Sequence, residues 1–352
     1  MLYQTTNPHG GDIYGGGVLL DFSANTNPFG TPPGVRDAII RALPELHRYP
    51  DPYCRALVSA IAAHEQVPES FVLCGSGAAE LIYGFARGAG VKTALVTAPT
   101  FSEYALGLRQ VGCVPEEYLL REENDFRPDA GILTAIRARK PGALFLCNPN
   151  NPTGQLADPE LLREILLCCR ETGTRLFVDE CFLDLTENGV SMKPFLGEYP
   201  GLFLLKAFTK SYGMAGVRLG YCLSGDPALL TAISRTEQPW NVSTPAQAAG
   251  IAALREGAYL RRTVALVREQ RTWLTERLSE LGFRVIPSRT NYLLFRGPEN
   301  LSDRLKAKGI LIRNCDNYSG LGPGWYRIAV RLPEENRKLI QAMEEAVWQK
   351  TS

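Results

Sequence analysis

The sequence predicts an α/β fold, with a mostly parallel central sheet in a large domain and a smaller α+β domain after it. From about residue 70, short apolar segments alternate with helical segments, as at ALFLC (143–147) and RLFVD (175–179). Nearly continuous apolar strands are typical of a parallel sheet that helices cover on both faces. After residue 240 the pattern changes to long amphipathic helices and short strands. We therefore expect an N-terminal arm with part of the small domain at 1–44, the large domain at 45–244 and the small domain at 245–352.

The first 30 residues are rich in glycine, asparagine and proline, which predicts an irregular arm. Two segments within it, HGGD (9–12) and DFSANTNPFG (21–30), have more distinctive sequences than a terminal tail usually has. Their glycines allow a positive φ or a close approach to a ligand, whereas the alternative is a flexible terminus. Two helices are expected after the arm, at 34–46 and 54–66, with the turn-forming segment RYPDPY (48–53) between them.

Apolar runs and helical periodicity give the order of the remaining elements. We expect strands of the large domain at 71–74, 94–98, 143–147, 175–179, 202–208 and 218–223. We expect helices between them at 78–89, 101–112 and 158–173. In the small domain we expect a helical region at 245–281 that breaks near Gly257, strands at 283–288, 291–295, 310–315 and 325–332, and helices at 301–308 and 334–349.

Composition argues against several classes of protein. The 352 residues carry a formal net charge of +1, which gives no electrostatic basis for binding nucleic acid or an anionic membrane surface. No apolar run approaches the roughly 18 residues that span a bilayer, and the N-terminus lacks the pattern of a signal peptide. Nine cysteines without a CxxC pair and only three histidines argue against disulfides and a metal site. We expect a cytoplasmic protein with reduced thiols.

Four motifs follow predicted strands, and we expect them to meet at one site. They are GSGAAE (75–80), NPNNPTG (148–154), DECF (179–182) and the segment from Phe208 to Tyr221. Ligands of such sheets bind outside the carboxyl ends of the strands, where residues that follow different strands come together. The glycine-rich turn that opens a helix is weak on its own, but a helix N-terminus attracts anions.

The last of these segments contains Lys210 and, eight residues later, Arg218. Burial lowers the pKa of a lysine and makes its amine a candidate Schiff-base nucleophile. Taken alone, the segment is also compatible with a loop that carries two surface cations. Combined with the anion site at 75–77 and the acid Asp179, it fits pyridoxal phosphate, which has a carbonyl, a phosphate and a basic ring nitrogen.

The motifs NPNNPTG, DECF and FTKSYGMAGVRLGY (208–221) resemble those of fold-type I pyridoxal-phosphate enzymes of the class I/II aminotransferase group. The resemblance extends over essentially the whole chain. It implies that Lys210 forms the Schiff base, that Asp179 pairs with the ring nitrogen, and that Asn151 donates a hydrogen bond to the ring 3′-oxygen. It also implies that the cofactor phosphate is held by Ser76, Gly77, Thr209 and Arg218.

The same resemblance implies that Phe101 stacks on the cofactor ring and that Arg327 binds the substrate carboxylate. Tyr49 would reach the phosphate region of a second subunit's site, so a homodimer is implied. Two positions depart from the pattern of the group. Phe182 stands where many relatives have a tyrosine that contacts the 3′-oxygen, and Ala207 stands where a phosphate-binding hydroxyl is common. The first removes a polar contact, and we expect the second to weaken phosphate binding slightly unless water or Thr209 compensates.

Two branches of the group are similar to this sequence, the threonine-phosphate decarboxylases and the histidinol-phosphate aminotransferases. The segments that favour the decarboxylases are His9-Gly10-Gly11, LDFSANTNP (20–28), the phenylalanine of DECF, QPWNVS (238–243), RTNYLLFR (289–296) and ILIRNCDNYSGL (310–321). That resemblance implies decarboxylation of L-threonine O-3-phosphate, or of L-serine phosphate, to supply (R)-1-amino-2-propanol phosphate for cobalamin. Transamination of histidinol phosphate is the alternative, and a cofactor-binding regulator or inactive scaffold is a third.

Substrate anchors are expected to decide which bond at the substrate α-carbon breaks. The candidates that hold a phosphorylated amino acid are His9, Asn25, Tyr49, Asn151, Arg313 and Arg327. Arginine suits such anions because its guanidinium binds them with two parallel hydrogen bonds. His9 has the alternative of a solvated position on the arm, and Arg313 that of a salt bridge between the domains.

Overall fold

The computed structural model describes residues 9–348. In this part of the chain, the α-helices α1–α12 span Pro33–Ala42, Arg55–Glu65, Ala78–Gly88, Glu103–Gln110, Gly131–Arg139, Pro159–Thr172, Phe208–Ser211, Pro227–Ser234, Thr244–Ala253, Gly257–Glu280, Leu301–Ala307 and Pro333–Trp348. The strands β1–β13 span Leu20–Asp21, Val72–Gly75, Ala94–Ala98, Glu116–Leu119, Ala143–Cys147, Arg175–Asp179, Leu202–Ala207, Gly220–Ser224, Arg284–Val285, Tyr292–Arg296, Ile310–Leu311, Arg313–Asn314 and Trp325–Ala329.

The large sheet has seven strands in the order β2-β8-β7-β6-β5-β3-β4. Strands β3 to β7 pair in parallel, and β8 runs antiparallel to both of its neighbours. The prediction of an α/β fold with a mostly parallel sheet is therefore confirmed. Parallel neighbours need a crossover connection between them, and helix α6 supplies it between β5 and β6.

Both faces of this sheet are buried. Phe145, Phe177 and Phe203 occupy matching positions on three neighbouring strands and stack with ring centroids 4.6 and 4.9 Å apart. Leu144, Leu176 and Leu204, one residue away, point to the opposite face and are likewise buried. Burial on both faces explains why these strands consist almost entirely of apolar residues.

The small domain is built on a four-stranded antiparallel sheet in the order β12-β13-β10-β9. The arm joins it, because β1 pairs in parallel with β11 through Leu20 opposite Ile310. Phe22 then enters the same apolar core as Leu274 and Tyr326. The arm is thereby fixed on the small domain at the point where it passes the edge of the large sheet.

Some elements differ from those expected. Helix α1 ends at Ala42, and a 3₁₀ turn at Leu43–His47 follows, as Pro44 cannot donate the next helical hydrogen bond. The expected strand at 310–315 is two short strands, β11 and β12, in different sheets. Strand β4 was not predicted, because it is an edge strand with exposed glutamates and therefore lacks the apolar run that marks the other strands. Helices α5 and α8 are further elements that the periodicity did not reveal. Across residues 9–348, none of the helices is both long and apolar enough to cross a membrane.

Candidate active site

A cavity lies where the carboxyl ends of β3, β5, β6 and β7 meet the small domain and the arm. Register explains the convergence: Cys147, the last residue of β5, pairs with Asp179, the last residue of β6. The cavity brings together many residues selected from the sequence: His9, Asn25, Phe101, Asn151, Asp179, Thr209, Lys210, Arg218, Arg313 and Arg327. Its lining also includes Ser23, Cys181, Phe182, Ala207 and Tyr318.

Lys210 lies in the short helix α7, directly after β7, and its side chain faces the cavity. Burial lowers the pKa of this lysine to about 8, and the nearby positive charges of Arg327 and Arg218 act in the same direction. Its Nζ lies 5.8 Å from the ring centre of Phe182. A lysine of this kind has a substantial neutral, nucleophilic fraction close to neutral pH.

Asp179 is 5% exposed and is held by two hydrogen bonds. Tyr104 donates its hydroxyl to Oδ2 at 2.6 Å, and the backbone N–H of Cys181 donates to Oδ1 at 2.8 Å. Burial raises the pKa of Asp179, while these hydrogen bonds act in the opposite direction. A buried carboxylate that lacks a full counter-charge is suited to a cationic ring nitrogen. Tyr104 carried no separate signal in the sequence, because it occupies an ordinary buried position of helix α4.

Arg218 lines the end of the cavity that lies next to the turn at 75–77. Its backbone is left-handed, with φ of +59°, and its Nη1 donates to the carbonyl of Ala215 at 3.0 Å. A Cβ at Gly77 would lie 2.6 Å from Arg218 Nη2, so only glycine allows this guanidinium so close to the turn. Thr209, which is buried, lines the same region.

The turn at 75–77 uses its own N–H groups internally. Ser76 N–H donates to Glu80 Oε2 at 2.5 Å, and Gly77 N–H donates to Gly75 O at 2.8 Å. The residues of this motif that line the cavity are Ala78 and Ala79, at the start of helix α3. Binding of the cofactor phosphate by Ser76 and Gly77 stays a prediction. The residues at the N-terminus of α3, rather than Ser76 and Gly77, line the cavity.

Arg327 and Asn151 meet at the other end of the cavity. Arg327 donates Nη1 to Asn151 Oδ1 at 2.5 Å and Nη2 to Ser23 O at 2.7 Å. Within residues 9–348, two buried polar atoms here have no hydrogen-bond partner, Arg327 Nε and Asn25 Oδ1. Buried polar groups are normally satisfied, so these two atoms indicate a polar ligand.

Arg313 lies opposite Arg327 in the β12–β13 pair. Its Nη2 donates to Asn317 Oδ1 at 2.8 Å, and its guanidinium carbon lies 5.2 Å from the ring centre of Tyr318. These contacts lie within the small domain and hold the guanidinium at the cavity. Tyr318 belongs to the segment 310–321 that carried part of the sequence resemblance, but no motif marked it as a site residue.

His9 reaches the cavity from the arm. Its Nε2 is 2.7 Å from Glu103 Oε1, and its ring centre lies 5.6 Å from that of Phe101. Gly11 N–H donates to Ser23 Oγ at 2.7 Å, which ties the arm down next to the histidine. A Cβ at Gly10 would lie 2.4 Å from the carbonyl oxygen of Ser23. The HGG segment is therefore packed closely where it covers the cavity, and Glu103 is a contact that the sequence did not reveal.

Tyr49 lies outside the cavity of its own chain. Tyr49 is 77% exposed, and its ring stacks on that of Trp240 with ring centroids 4.4 Å apart. A contribution of Tyr49 to a site would therefore have to be made to another chain.

The described residues fit pyridoxal phosphate. Lys210 supplies an amine with a lowered pKa, Asp179 a buried carboxylate, and Arg218 with the start of α3 an anion site. The two departures are both present in the lining, since Phe182 and Ala207 offer no side-chain donor to the cofactor. The unpaired Arg327 Nε and Asn25 Oδ1 lie at the end where a substrate would be held.

Comparison with known proteins agrees with this site. The family model described as aminotransferase class I and II matches residues 18–343. The chain is 38% identical over 333 residues to a threonine-phosphate decarboxylase of Salmonella typhimurium, covering 94% of this chain and 91% of the relative. It is 36% identical over 342 residues to a histidinol-phosphate aminotransferase of Desulfitobacterium hafniense, covering 93% and 91%. A solved histidinol-phosphate aminotransferase from Sinorhizobium meliloti, in complex with pyridoxal-5′-phosphate, superposes with a TM-score of 0.86 at 25% identity, covering 95% and 92%.

Proposed function

Because this chain belongs to the aminotransferase class I and II family and is a pyridoxal-phosphate-dependent enzyme, we propose that it decarboxylates L-threonine O-3-phosphate. The product would be (R)-1-amino-2-propanol phosphate, used in cobalamin biosynthesis. L-serine phosphate, which lacks one methyl group, is a second candidate substrate of the same reaction. The similar proteins include both decarboxylases and aminotransferases, so the choice between the two reactions depends on this chain's own cavity.

The observation that carries the proposal is the pair of arginines at the substrate end of the cavity, which His9 also reaches. Arg313 and Arg327 face each other across two strands, and His9 reaches the same cavity from the arm. Threonine phosphate has two anionic groups, a carboxylate and a phosphate, that need separate partners. Histidinol phosphate has a phosphate but no carboxylate, so it would use only one of these two partners. 2-Oxoglutarate, the second substrate of transamination, has two carboxylates and would use both, so the substrate comparison below decides between the two reactions.

In this proposal each cofactor-site residue has one task. Bound pyridoxal phosphate supplies an electron sink for the bond that breaks at the substrate α-carbon. Lys210 would hold the cofactor covalently, and once released its side chain, in the protonated ammonium form, would donate a proton to the α-carbon. Asp179 keeps a negative charge beside the ring nitrogen. Asn151 donates to the ring oxygen, Phe101 stacks on the ring, and the phosphate end is held by Ser76, Gly77, Thr209, Arg218 and the start of α3.

Substrate anchoring would select decarboxylation. Arg313, Arg327 and His9 hold the two anions of the substrate, while Asn25 Oδ1 accepts a hydrogen bond from the incoming amino group. When both anions are held, rotation about the bond between nitrogen and the α-carbon is fixed. The bond to the carboxylate, rather than the bond to hydrogen, is then presented for cleavage. Strong anchors at two points achieve this without any further catalytic group.

The proposal includes a homodimer. Helix α1 and the 3₁₀ turn after it carry the exposed apolar side chains Ile40, Leu43 and Leu46, and the exposed rings of Tyr49 and Trp240 stack on each other. Exposed apolar side chains favour contact with another protein surface. A second copy that covers these side chains would receive Tyr49 near the phosphate end of its own cavity. The cytoplasm, where cysteines stay reduced, is the expected location, and all nine cysteines are buried free thiols.

A comparison of substrates tests the reaction. The holoenzyme is incubated with L-threonine O-3-phosphate, L-serine O-phosphate or histidinol phosphate, each with and without 2-oxoglutarate. We expect CO2 release from threonine phosphate that does not require 2-oxoglutarate, and none from the Lys210→Ala variant. Turnover of histidinol phosphate that strictly requires 2-oxoglutarate, with no CO2 from either phosphorylated amino acid, would replace the proposal with transamination.

A further inference from the structure

Glu80 holds the turn that precedes helix α3. Its Oε2 accepts the backbone N–H of Ser76 at 2.5 Å and the side-chain amide of Asn241 at 2.6 Å. The turn at 75–77 lies directly before Ala78 and Ala79, which line the cavity. Because Glu80 is itself in the first turn of α3, its carboxylate fixes how the start of this helix approaches a bound phosphate.

A second carboxyl group, that of Glu237, is buried against the same face of α3. Its side chain is only 5% exposed, and within residues 9–348 no N–H group or hydroxyl donates a hydrogen bond to either of its carboxyl oxygens. A Cβ at Gly84 would lie 2.1 Å from Glu237 Oε1, so the carboxyl group occupies the space that this glycine leaves. Gly84 follows Glu80 by four residues and therefore shares its helix face. The two carboxyl groups consequently lie next to each other.

The titratable groups that face Glu237 come from two elements. Helix α3 presents Glu80 and Arg87, whose Nη2 is 4.0 Å from Glu237 Oε1. Strand β8 presents the buried thiol of Cys222, whose pKa is raised chiefly by burial and also by Glu237. Burial, and next the charge of Glu80, raises the pKa of Glu237 to about 8, while Arg87 opposes this shift. Near neutral pH the pair therefore holds one proton and one negative charge.

We propose that Glu80 and Glu237 are positioning residues for the cofactor phosphate: Glu80 holds the turn, and the proton on Glu237 keeps the pair at a single negative charge. Loss of that proton weakens binding at the phosphate end of the cavity. The inference rests on the proposed assignment of Arg218 and the start of α3 as the phosphate site, and it is independent of the reaction catalysed.

The physical reason is electrostatic. A phosphate is attracted by the partial positive charge at a helix N-terminus and by Arg218. A second carboxylate in the adjoining region repels both the phosphate and Glu80, and Glu80 can then no longer hold the Ser76 N–H in the same geometry. By reciprocity, a bound phosphate favours the protonated form of Glu237 to the same extent that ionised Glu237 disfavours the phosphate.

Pyridoxamine 5′-phosphate is a suitable probe because it forms no covalent bond with Lys210. Its dissociation constant is measured by equilibrium dialysis at pH 7 and pH 9 with the full-length protein and with Glu237→Gln, which imitates the protonated side chain. Lys210 also titrates in this range, and it does so in both proteins. Between pH 7 and pH 9, we expect the dissociation constant to increase by a factor that is about five times larger, or more, for the unaltered protein than for Glu237→Gln. Identical pH profiles for the two proteins would overturn the proposal.

Two controls separate the possible failures. Glu160→Gln makes the same chemical change in the first turn of another helix, at an exposed position, and we expect it to keep the pH profile of the unaltered protein. Pyridoxamine without its phosphate should show no dependence on Glu237. If Arg218→Ala does not weaken pyridoxamine 5′-phosphate, the phosphate site itself is wrong, and the inference falls with it. These binding measurements do not depend on whether the enzyme catalyses decarboxylation or transamination.

Discussion

Arg313 lies directly opposite Arg327 in the antiparallel pair of β12 and β13, and both side chains line the cavity that contains Lys210. Like charges at directly opposed positions of a sheet destabilise it. Anions that bind between the two arginines and the cofactor would offset this repulsion. We propose that Lys210 provides the covalent chemistry and that the two arginines select the substrate.

Arg327→Gln should weaken use of the phosphorylated substrate. Arg327 donates to Asn151 and Ser23 and has a buried Nε with no partner among the described residues. Because hydrogen bonds to charged groups are worth about 1.5–3 kcal/mol, we expect kcat/KM to fall about 10- to 100-fold. Steady-state kinetics measure this, and Arg296→Gln, an exposed arginine on neighbouring strand β10, is the matched control. Equal losses in both variants would remove the assigned role.

Covalent attachment of the cofactor to Lys210 should have an unusually low pH midpoint. The pKa of Lys210 is lowered from 10.5 to about 8, so the neutral amine dominates above pH 8. We expect the attachment rate to cofactor-free enzyme, followed by absorbance, to rise with pH and level off just above 8. Arg327→Gln removes a positive charge that lowers this pKa, so its midpoint should move upward, and Arg296→Gln should leave the midpoint unchanged. A midpoint near that of an ordinary lysine would contradict the described environment.

Asp179→Asn should separate stability from activity. The folded-state pKa of Asp179 is raised, so its charged form disfavours folding of the cofactor-free chain at every pH above the ordinary value of 3.8. We expect thermal unfolding of the cofactor-free variant at pH 7 to show a free energy of unfolding that is higher by about 1 kcal/mol. The loaded variant should lose about 10²- to 10⁴-fold in kcat, since the charge beside the ring nitrogen is gone. A variant that is less stable and fully active would contradict this account.

Tyr49 is expected to complete the site of a second subunit. Tyr49→Ala and Lys210→Ala should each have little activity alone. After the two variants are mixed and allowed to exchange subunits, half of the dimers are hybrids, and each hybrid has one intact site. We therefore expect recovery of up to about one quarter of the original activity, as a symmetric dimer with shared sites requires. No recovery, although size measurements show hybrids, would place Tyr49 outside the partner's site.

The parts of the site that follow strands were accessible from the sequence. Asp179 and Lys210 stand where a buried apolar strand ends, and Asn151 lies in a motif at the same kind of position. Local sequence is sufficient there because parallel strands end at a common edge. The glycine-rich turn was found for the same reason, although the residues that line the cavity are Ala78 and Ala79, two positions after the predicted Ser76 and Gly77.

Contacts between distant segments were not accessible. His9 and Glu103 are separated by 94 positions, and their contact depends on how the arm crosses the sheet edge. Tyr104 resembles any buried helix residue until its hydroxyl is seen on Asp179. Glu237 lies in an unremarkable segment after α8, and only the space at Gly84 shows that its carboxyl group is buried. Such contacts arise from packing of whole elements, which periodicity and short motifs do not encode.

A single turnover with L-threonine O-3-phosphate labelled at the carboxyl carbon tests the central claim most directly. The holoenzyme is kept in excess, no 2-oxo acid is added, and both the label and the form of the cofactor are followed. We predict that the label leaves as CO2, that the product keeps its nitrogen, and that the cofactor ends in its original aldehyde form bound to Lys210. Label retained in a 2-oxo acid, with conversion of the cofactor to pyridoxamine 5′-phosphate, would contradict the assignment.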